Sequence, residues 1–219
     1  MKFAILIPAI IGLMASSALA KVDATNTEMA HYKVTITNLT MNQGLSPAVL
    51  ATHSPAYTMF KMGEPASPGV ALIAEDGMTS KLAEEIKNSN AADSLFVGMK
   101  PIKPGVSMVY HIKANPHSLF SAVTMLATTN DGFTGVNSLP LPAYATRIYV
   151  GAYDAGTEAN TENCQHIPGA PCSAHNVRVR AGAEGTIQHH PGILGVADLS
   201  KKMFNWENPV AMILIQRYN

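Results

Sequence analysis

The segment His31–Leu39 reads HYKVTITNL, in which apolar and polar residues alternate. Tyr32, Val34 and Ile36 would share one face, and Lys33 and the threonines would share the other. Because successive side chains of a strand point to opposite faces, this period of two predicts a half-buried β-strand. Segments rich in β-branched and aromatic residues also predict strands at Gly105–Lys113, Thr146–Ala152, Asn176–Arg180 and Pro209–Tyr218.

The secondary structure of two stretches is undecided, whereas the sequence clearly predicts one helix. Leu119–Thr128 is a continuous apolar run that fits either a buried strand or a short helix, and glycines and prolines leave Met59–Ala74 undecided. Thr79–Lys87 predicts a helix, with a cap at Thr79 or the next residue and with Leu82 and Ile86 on one face. Many short strands with one or two short helices predict an all-β fold, an antiparallel β-sandwich.

Residues 1–20 have the pattern of a secretory signal peptide. Lys2 precedes the apolar run Phe3–Ala15, and Ala18-Leu19-Ala20 has the small-x-small form of a cleavage site. An N-terminal anchor helix that stays attached is the other interpretation. No later segment approaches the ~20 apolar residues that a spanning helix needs. We therefore expect residues 21–219 to form a single exported domain, secreted or periplasmic, without a membrane span.

The charge balance argues against nucleic acid as a partner. The chain of 219 residues has a formal net charge of 0 at pH 7, and only 14% of its residues are charged. Proteins that bind nucleic acid usually carry a basic excess, which is missing here.

The two cysteines, Cys164 and Cys172, predict a disulfide, since an even count in an exported protein favours pairing. The bond would close a short loop, so its effect should be local, with a stabilisation of about 2–3 kcal/mol at most.

Three acidic residues in two loops form a candidate metal site. Asp154 and Glu158 follow the predicted strand Thr146–Ala152, and Asp131 follows the apolar run. If the preceding strands are neighbours, the carboxylates meet at one end of the sandwich and repel one another unless a cation lies between them. Hard oxygen donors in flexible loops suit calcium, although this spacing is not that of an EF-hand and acidic residues in turns are often simply solvated.

Evidence for catalysis is weak. The sequence has no His-Glu-x-x-His zinc pattern and no Gly-x-Ser-x-Gly nucleophile turn. The adjacent His189 and His190 would point to opposite faces of a strand. The catalytic hypothesis is therefore a metal-assisted hydrolase in which the acidic cluster works with a histidine such as His166 or His190.

Several segments together resemble one family. The segments ITNLT, LSPAVLATHSPAYTMFKMGEPASPGVALIAEDG, KLAEEI, NDGFTGVNSL, YDAGTE and NPVAMILIQR, in this order, resemble the spondin amino-terminal domain, and the likeness extends over Tyr32–Arg217. The resemblance implies an eight-stranded antiparallel β-sandwich with a calcium ion in loops at one end. Asp131, Asp154 and Glu158 stand at the ligand positions. Glu158 replaces the family's usual aspartate, and Tyr153 and Gly132 replace its tryptophans.

The resemblance and the lack of a catalytic motif predict a non-catalytic, calcium-binding module of the adhesion type. Its partner would be a surface, a glycan or a protein outside the cell or in its envelope. The competing hypotheses are the metal-assisted hydrolase and a purely structural envelope protein without metal.

Overall fold

The computed structural model describes residues 28–115 and 117–218, so the predicted signal peptide lies outside the described residues. The prediction of an all-β sandwich is confirmed, with ten strands instead of eight. The strands are β1 Ala30–Asn38, β2 Val49–His53, β3 Ala92–Val97, β4 Ser107–Ala114, β5 Leu119–Met125, β6 Gly132–Pro140, β7 Ala145–Val150, β8 Ala152–Asp154, β9 Gln188–His189 and β10 Ala211–Arg217. The helices are α1 Pro68–Asp76, α2 Ser80–Asn88 and α3 Lys201–Phe204, with a 3-10 turn at Cys164–His166.

The strands form two antiparallel sheets. One has four strands in the order β4-β1-β10-β7, and the other has six in the order β3-β2-β5-β6-β8-β9. The opening segment is β1, and it pairs with β4 on one side and β10 on the other. Strand β10, from the end of the chain, therefore lies inside the sheet, between β1 and β7.

The main core lies between the two sheets. The inward residues of β1 alternate with half-exposed ones, as the period of two predicts, and Val34 is fully buried. It packs with Ile213 and Ile215 of β10 and with Phe120 of the facing sheet in one apolar cluster. This alternation is what a sheet with one solvated face requires.

The central strands of the six-stranded sheet are covered on both faces. Every residue of β2 is buried, and so are six of the seven residues of β5. A second apolar cluster explains this, because Val70 and Ile73 of α1 and Leu82 of α2 pack with strand residues such as Val123. A strand buried on both faces has a continuous apolar sequence, so the undecided run Leu119–Thr128 is a strand in its first part.

Local signals begin and end the first two helices. Ser67 caps α1 by accepting a hydrogen bond from the Val70 amide, and Gly77 ends the helix in a left-handed conformation with φ 67°. The helix predicted at Thr79–Lys87 is confirmed as α2, although the Thr79 side chain makes no capping bond. Glu85 of α2 accepts a hydrogen bond from the Gly69 amide at 2.7 Å and fixes the two helices together.

The strand predicted at Asn176–Arg180 is wrong, because this segment has no ladder of hydrogen bonds in the structure. Its arginines are used as ion-pair partners instead. Arg178 and Arg180 contact Glu75 at the end of α1, and the Val179 amide donates to the Glu158 side chain. The alternation of valine and arginine here reflects these pairs and not a sheet.

The disulfide between Cys164 and Cys172 is confirmed. Cys172 is buried with Ile167, Ile193 and Leu199 in a small third apolar cluster. Within residues 28–115 and 117–218, no helix has the length and apolarity that crossing a bilayer requires.

Candidate metal centre

Strands β6 and β8 bring two of the predicted acidic residues side by side. Asp131 directly precedes β6, Asp154 ends β8, and the register of the two strands places Gly132 opposite Asp154. The Ala155 amide also donates to the Asp131 carbonyl at 3.1 Å. The premise that the preceding strands are neighbours is wrong, because β5 and β7 lie in different sheets. Direct pairing of β6 with β8 brings the two acidic segments together instead.

Asp131 is fully buried, and its two carboxylate oxygens differ. Oδ2 accepts hydrogen bonds from the Thr157 amide at 2.7 Å, the Thr157 hydroxyl at 3.1 Å and the Glu158 amide at 2.9 Å. Oδ1 is buried and has no hydrogen-bond partner. The turn after Asp154 therefore wraps around one oxygen of Asp131 and leaves the other without a donor.

Glu158 shows the same division between its two oxygens. Oε1 accepts a hydrogen bond from the Val179 amide at 3.0 Å and lies 3.9 Å from Nε of Arg178. Oε2 is buried and has no hydrogen-bond partner. Buried polar atoms are nearly always paired, so two such oxygens near one turn need an explanation.

Asp154 is bonded more completely. Oδ1 accepts from the Gly156 amide at 2.7 Å, and Oδ2 accepts from the Asn160 side chain at 2.5 Å. Gly156 makes this turn possible, since its φ of 67° is left-handed and a Cβ there would lie 2.3 Å from the Thr186 carbonyl oxygen.

Burial dominates the electrostatics of the three carboxyls. Loss of water raises the pKa of Asp131 to about 7, and the neighbouring Asp154 contributes to the rise. Burial likewise raises the pKa of Glu158 to about 7, with smaller contributions from Glu75 and Asp131. The pKa of Asp154 is also raised, mainly by burial. Without a cation, the two unpaired carboxyls are therefore easily protonated near neutral pH.

The acidic turn offers few side-chain donors for a metal ion. Among the described residues, no group of three or more His, Cys, Asp or Glu side chains is arranged to hold a metal. The unpaired oxygens of Asp131 and Glu158 are nevertheless hard donors of the type that calcium uses, and backbone carbonyls and water supply the rest of many calcium sites. These two unpaired oxygens, with Asp154 as a neighbouring charge, are the side-chain donors that an ion at this turn would use.

The two histidines of the hydrolase hypothesis differ in place. His190 is buried, its ring lies 5.0 Å from that of Trp206, and it packs on Gly132, next to Asp131. Burial lowers the pKa of His190 to about 4, so the ring is neutral, and its Nε2 has no hydrogen-bond partner. His166 lies in the disulfide loop and contacts the Thr161 hydroxyl at 3.3 Å. As predicted, His189 points the other way, where it stacks on Tyr153.

The disulfide loop packs against the loop that carries Asp131. The Gly169 amide donates to the Ala127 carbonyl at 2.8 Å, and the Thr128 hydroxyl donates to the Ala170 carbonyl at 2.8 Å. A Cβ at Gly169 would lie 2.2 Å from the Ala127 oxygen, so only glycine permits this approach. The cross-linked loop is therefore held against residues 127 and 128, which precede Asp131 in the chain.

Two other groups of charged residues were missed in the sequence. Arg178 donates to Glu75 and to Asp76, and Arg180 donates to Glu75 at 2.9 Å. The adjacent acids at 75 and 76 and the alternating arginines are a complementary pattern that could have suggested this pairing. Glu162 is also buried, and its carboxylate accepts from the three successive amides of residues 194–196. No pattern in the sequence around Glu162 predicts that contact.

Comparisons with known proteins give one result. A search of the curated proteins found no match. The model of the Spondin_N family matches residues 25–179, which is more than half of the chain and includes all three predicted metal ligands. Strands β9 and β10 lie beyond the matched range, although β10 completes the four-stranded sheet. The chain therefore belongs to the Spondin_N family.

Proposed function

We propose that this protein is an exported, non-catalytic recognition module whose acidic turn is held by a calcium ion. Asp131 and Glu158 would bind the ion directly, and Asp154 would add negative charge beside it. When bound, the ion would neutralise the buried carboxylates and tie the turn after β8 to the loop before β6.

The observation that carries the proposal is the pair of buried oxygens without partners, Oδ1 of Asp131 and Oε2 of Glu158. The other oxygen of each carboxylate accepts backbone hydrogen bonds, which fixes the side chain in place. Leaving a buried carboxylate oxygen unpaired costs free energy, and a cation removes that cost more completely than a neutral donor would. Calcium is the natural choice because every available donor is a hard oxygen.

Burial supports a structural ion over a catalytic one. Asp131, Asp154 and Glu158 are each 0% exposed, so a substrate has no direct access to these carboxylates. A catalytic ion needs an open position that a water molecule or substrate can enter. The disulfide is typical of proteins from oxidising compartments, and with the family membership it supports a secreted or periplasmic location with a protein or glycan partner.

Calorimetric titration of residues 21–219 with calcium tests the proposal. We expect binding in the weak extracellular range, with Kd about 10⁻⁴–10⁻³ M. Asp131→Asn and Glu158→Gln keep the shape of the side chain and remove the charge, so each should weaken calcium binding at least tenfold. Glu84→Gln is the matched control, because Glu84 is exposed and forms a surface ion pair with Lys81.

Unfolding measurements in calcium and in chelator distinguish a calcium-binding protein from a purely structural protein without metal. At a calcium concentration one hundred times Kd, the ion should stabilise the wild type by about 2.7 kcal/mol. In chelator, Asp131→Asn should be at least as stable as the wild type, because it removes a buried charge. Equal unfolding midpoints of the wild type with calcium and with chelator would contradict the proposal and favour a metal-free envelope protein.

A further inference from the structure

The outer face of the four-stranded sheet has an unusual charge distribution. The strands β4, β1, β10 and β7 contain no aspartate or glutamate, whereas they contain lysine, arginine and histidine. The whole chain has a formal net charge of 0, so this sheet is basic within a neutral protein. We call the solvent side of these strands the basic sheet face.

Three cations project from the basic sheet face. Lys113 on β4 and Arg147 on β7 are exposed, and Lys33 on β1 is half-buried. The register places Lys33 beside His111 and, on its other side, beside Gln216 of β10. Among the described residues, none of the three cations forms an ion pair within 4.0 Å. Their positive potential is therefore directed to the solvent.

Flat rings and hydroxyls lie among these cations. At one end of the face, the Tyr218 ring lies 5.6 Å from the His111 ring and 5.8 Å from the His31 ring. At the other end, Tyr149 is 58% exposed and stands opposite Met212 of β10. The two ends are separated along β10 by about 20 Å, so the face suits a long ligand.

The chemistry of the basic sheet face limits the classes of partner that could bind there. A second copy of the chain in face-to-face contact would oppose like charges, which destabilises such a pair. A bilayer surface is bound through a large continuous apolar face, whereas the outward rows here mix Thr35 and Ser107 with Val109 and Leu214 among the cations. Exposed rings, hydroxyls and unpaired cations on one flat surface match the apolar faces, hydroxyls and acidic groups of a charged sugar chain.

We propose that the basic sheet face binds an anionic polysaccharide, one with carboxylate or sulfate groups along the chain. The cations would contact the acidic groups, and Tyr149 and Tyr218 would stack on sugar rings. This inference deepens the proposed recognition function by naming a face and a class of partner. The acidic site is elsewhere, on the six-stranded sheet, so the ion is not a ligand of the polysaccharide.

The test uses residues 21–219 and three probes of similar length: a heparin oligosaccharide, an alginate oligosaccharide and neutral dextran. We expect one or both anionic probes to bind, with an affinity that falls as salt rises, and dextran not to bind. The triple variant Lys33→Gln, Lys113→Gln, Arg147→Gln should lose about tenfold or more of that affinity. Absence of binding to both anionic probes would overturn the proposal.

A matched triple variant controls for net charge. Lys61→Gln, Lys87→Gln, Lys202→Gln removes the same charge from exposed positions outside the face and should bind as the wild type does. An equal loss in both variants would mean nonspecific attraction and would contradict a defined site. Tyr149→Ala should weaken binding while its salt dependence stays the same, since stacking is not electrostatic.

Further measurements separate this proposal from others. A single-stranded oligonucleotide or phosphatidylglycerol vesicles that bind more tightly than the sugars, with the same loss in the triple variant, would show that the face serves another polyanion. Calcium titration of the triple variant should match the wild type. Normal calcium binding without sugar binding would refute this inference alone, whereas sugar binding without calcium binding would refute only the proposed ion site.

Discussion

Two buried acidic regions of this protein satisfy their carboxylates in opposite ways. Glu162 accepts hydrogen bonds from three successive amides, at 2.5, 2.7 and 2.8 Å, and both of its oxygens are paired. Asp131 and Glu158 each leave one buried oxygen without a partner. The backbone alone can hold a buried anion, as at Glu162. At the other two residues the backbone pairs only one oxygen of each carboxylate, and the proposed ion site rests on this difference.

The largest expected difference between the regions is in the pH dependence of stability. The pKa of Asp131 and that of Glu158 are raised to about 7 in the folded protein, from ordinary values near 4 in the unfolded chain. The folded state then binds more protons between these values, so in chelator the free energy of unfolding should fall as pH rises from about 4 to about 7. The effect should reach several kcal/mol, as urea unfolding at a series of pH values would show.

Calcium provides the control for that prediction. Saturating calcium should hold both carboxyls ionised and flatten the pH profile, because the ion replaces the protons. A profile that keeps its slope in saturating calcium would mean that these carboxyls do not contact the ion. Asp131→Asn should reduce the slope in chelator, since one titrating group is removed.

The next largest effect should come from Glu162. Glu162→Gln removes the charge that strengthens three hydrogen bonds. It also places an amide NH₂, which is a donor, against backbone N–H groups that are donors too. We expect a loss of about 3 kcal/mol in the free energy of unfolding, equal in calcium and in chelator. Denaturant unfolding measures this loss. A loss seen only in calcium would show that Glu162 belongs to the ion site and would remove the contrast between the two regions.

The smallest expected effect concerns the disulfide loop. Replacing both Cys164 and Cys172 by serine should cost about 2 kcal/mol or less, because the closed loop is short. Calcium affinity should fall a few-fold, since this loop contacts Ala127 and Thr128, just before Asp131. Calorimetry on the double variant measures both changes in one preparation. Unchanged calcium affinity would show that the cross-link and the acidic turn act independently.

The sequence predicted the parts of the fold that depend on local patterns. The alternation in β1, the apolar β10 and the amphipathic α2 all follow from periodicity and are present in the structure. Helix α1 stayed undecided although Ser67, Pro68 and Gly77 mark its ends. The dense glycines and prolines around it outweighed those capping signals.

Long-range contacts account for what the sequence did not show. The sequence predicted that Asp131, Asp154 and Glu158 lie close together, and their role as metal ligands stays a prediction. Which of their oxygens lack partners depends on backbone amides from distant segments. The Val179 amide bonds to Glu158 in a segment that Arg178 ties to α1 through Glu75. The alternation of valine and arginine in this segment resembles a strand. The segment is nevertheless a loop, because its arginines form ion pairs and are not part of a sheet.

The position of β10 has a consequence for how the chain folds. This strand is the last element, yet it pairs with β1, from Asn38 beside Ala211 to Tyr32 beside Arg217. Because the chain is synthesised from its N-terminus, β1 and β7 lack their shared neighbour until β10 has been made. Closure over so long a stretch of chain is intrinsically slow. Until then, nothing joins β1 to β7 in the four-stranded sheet.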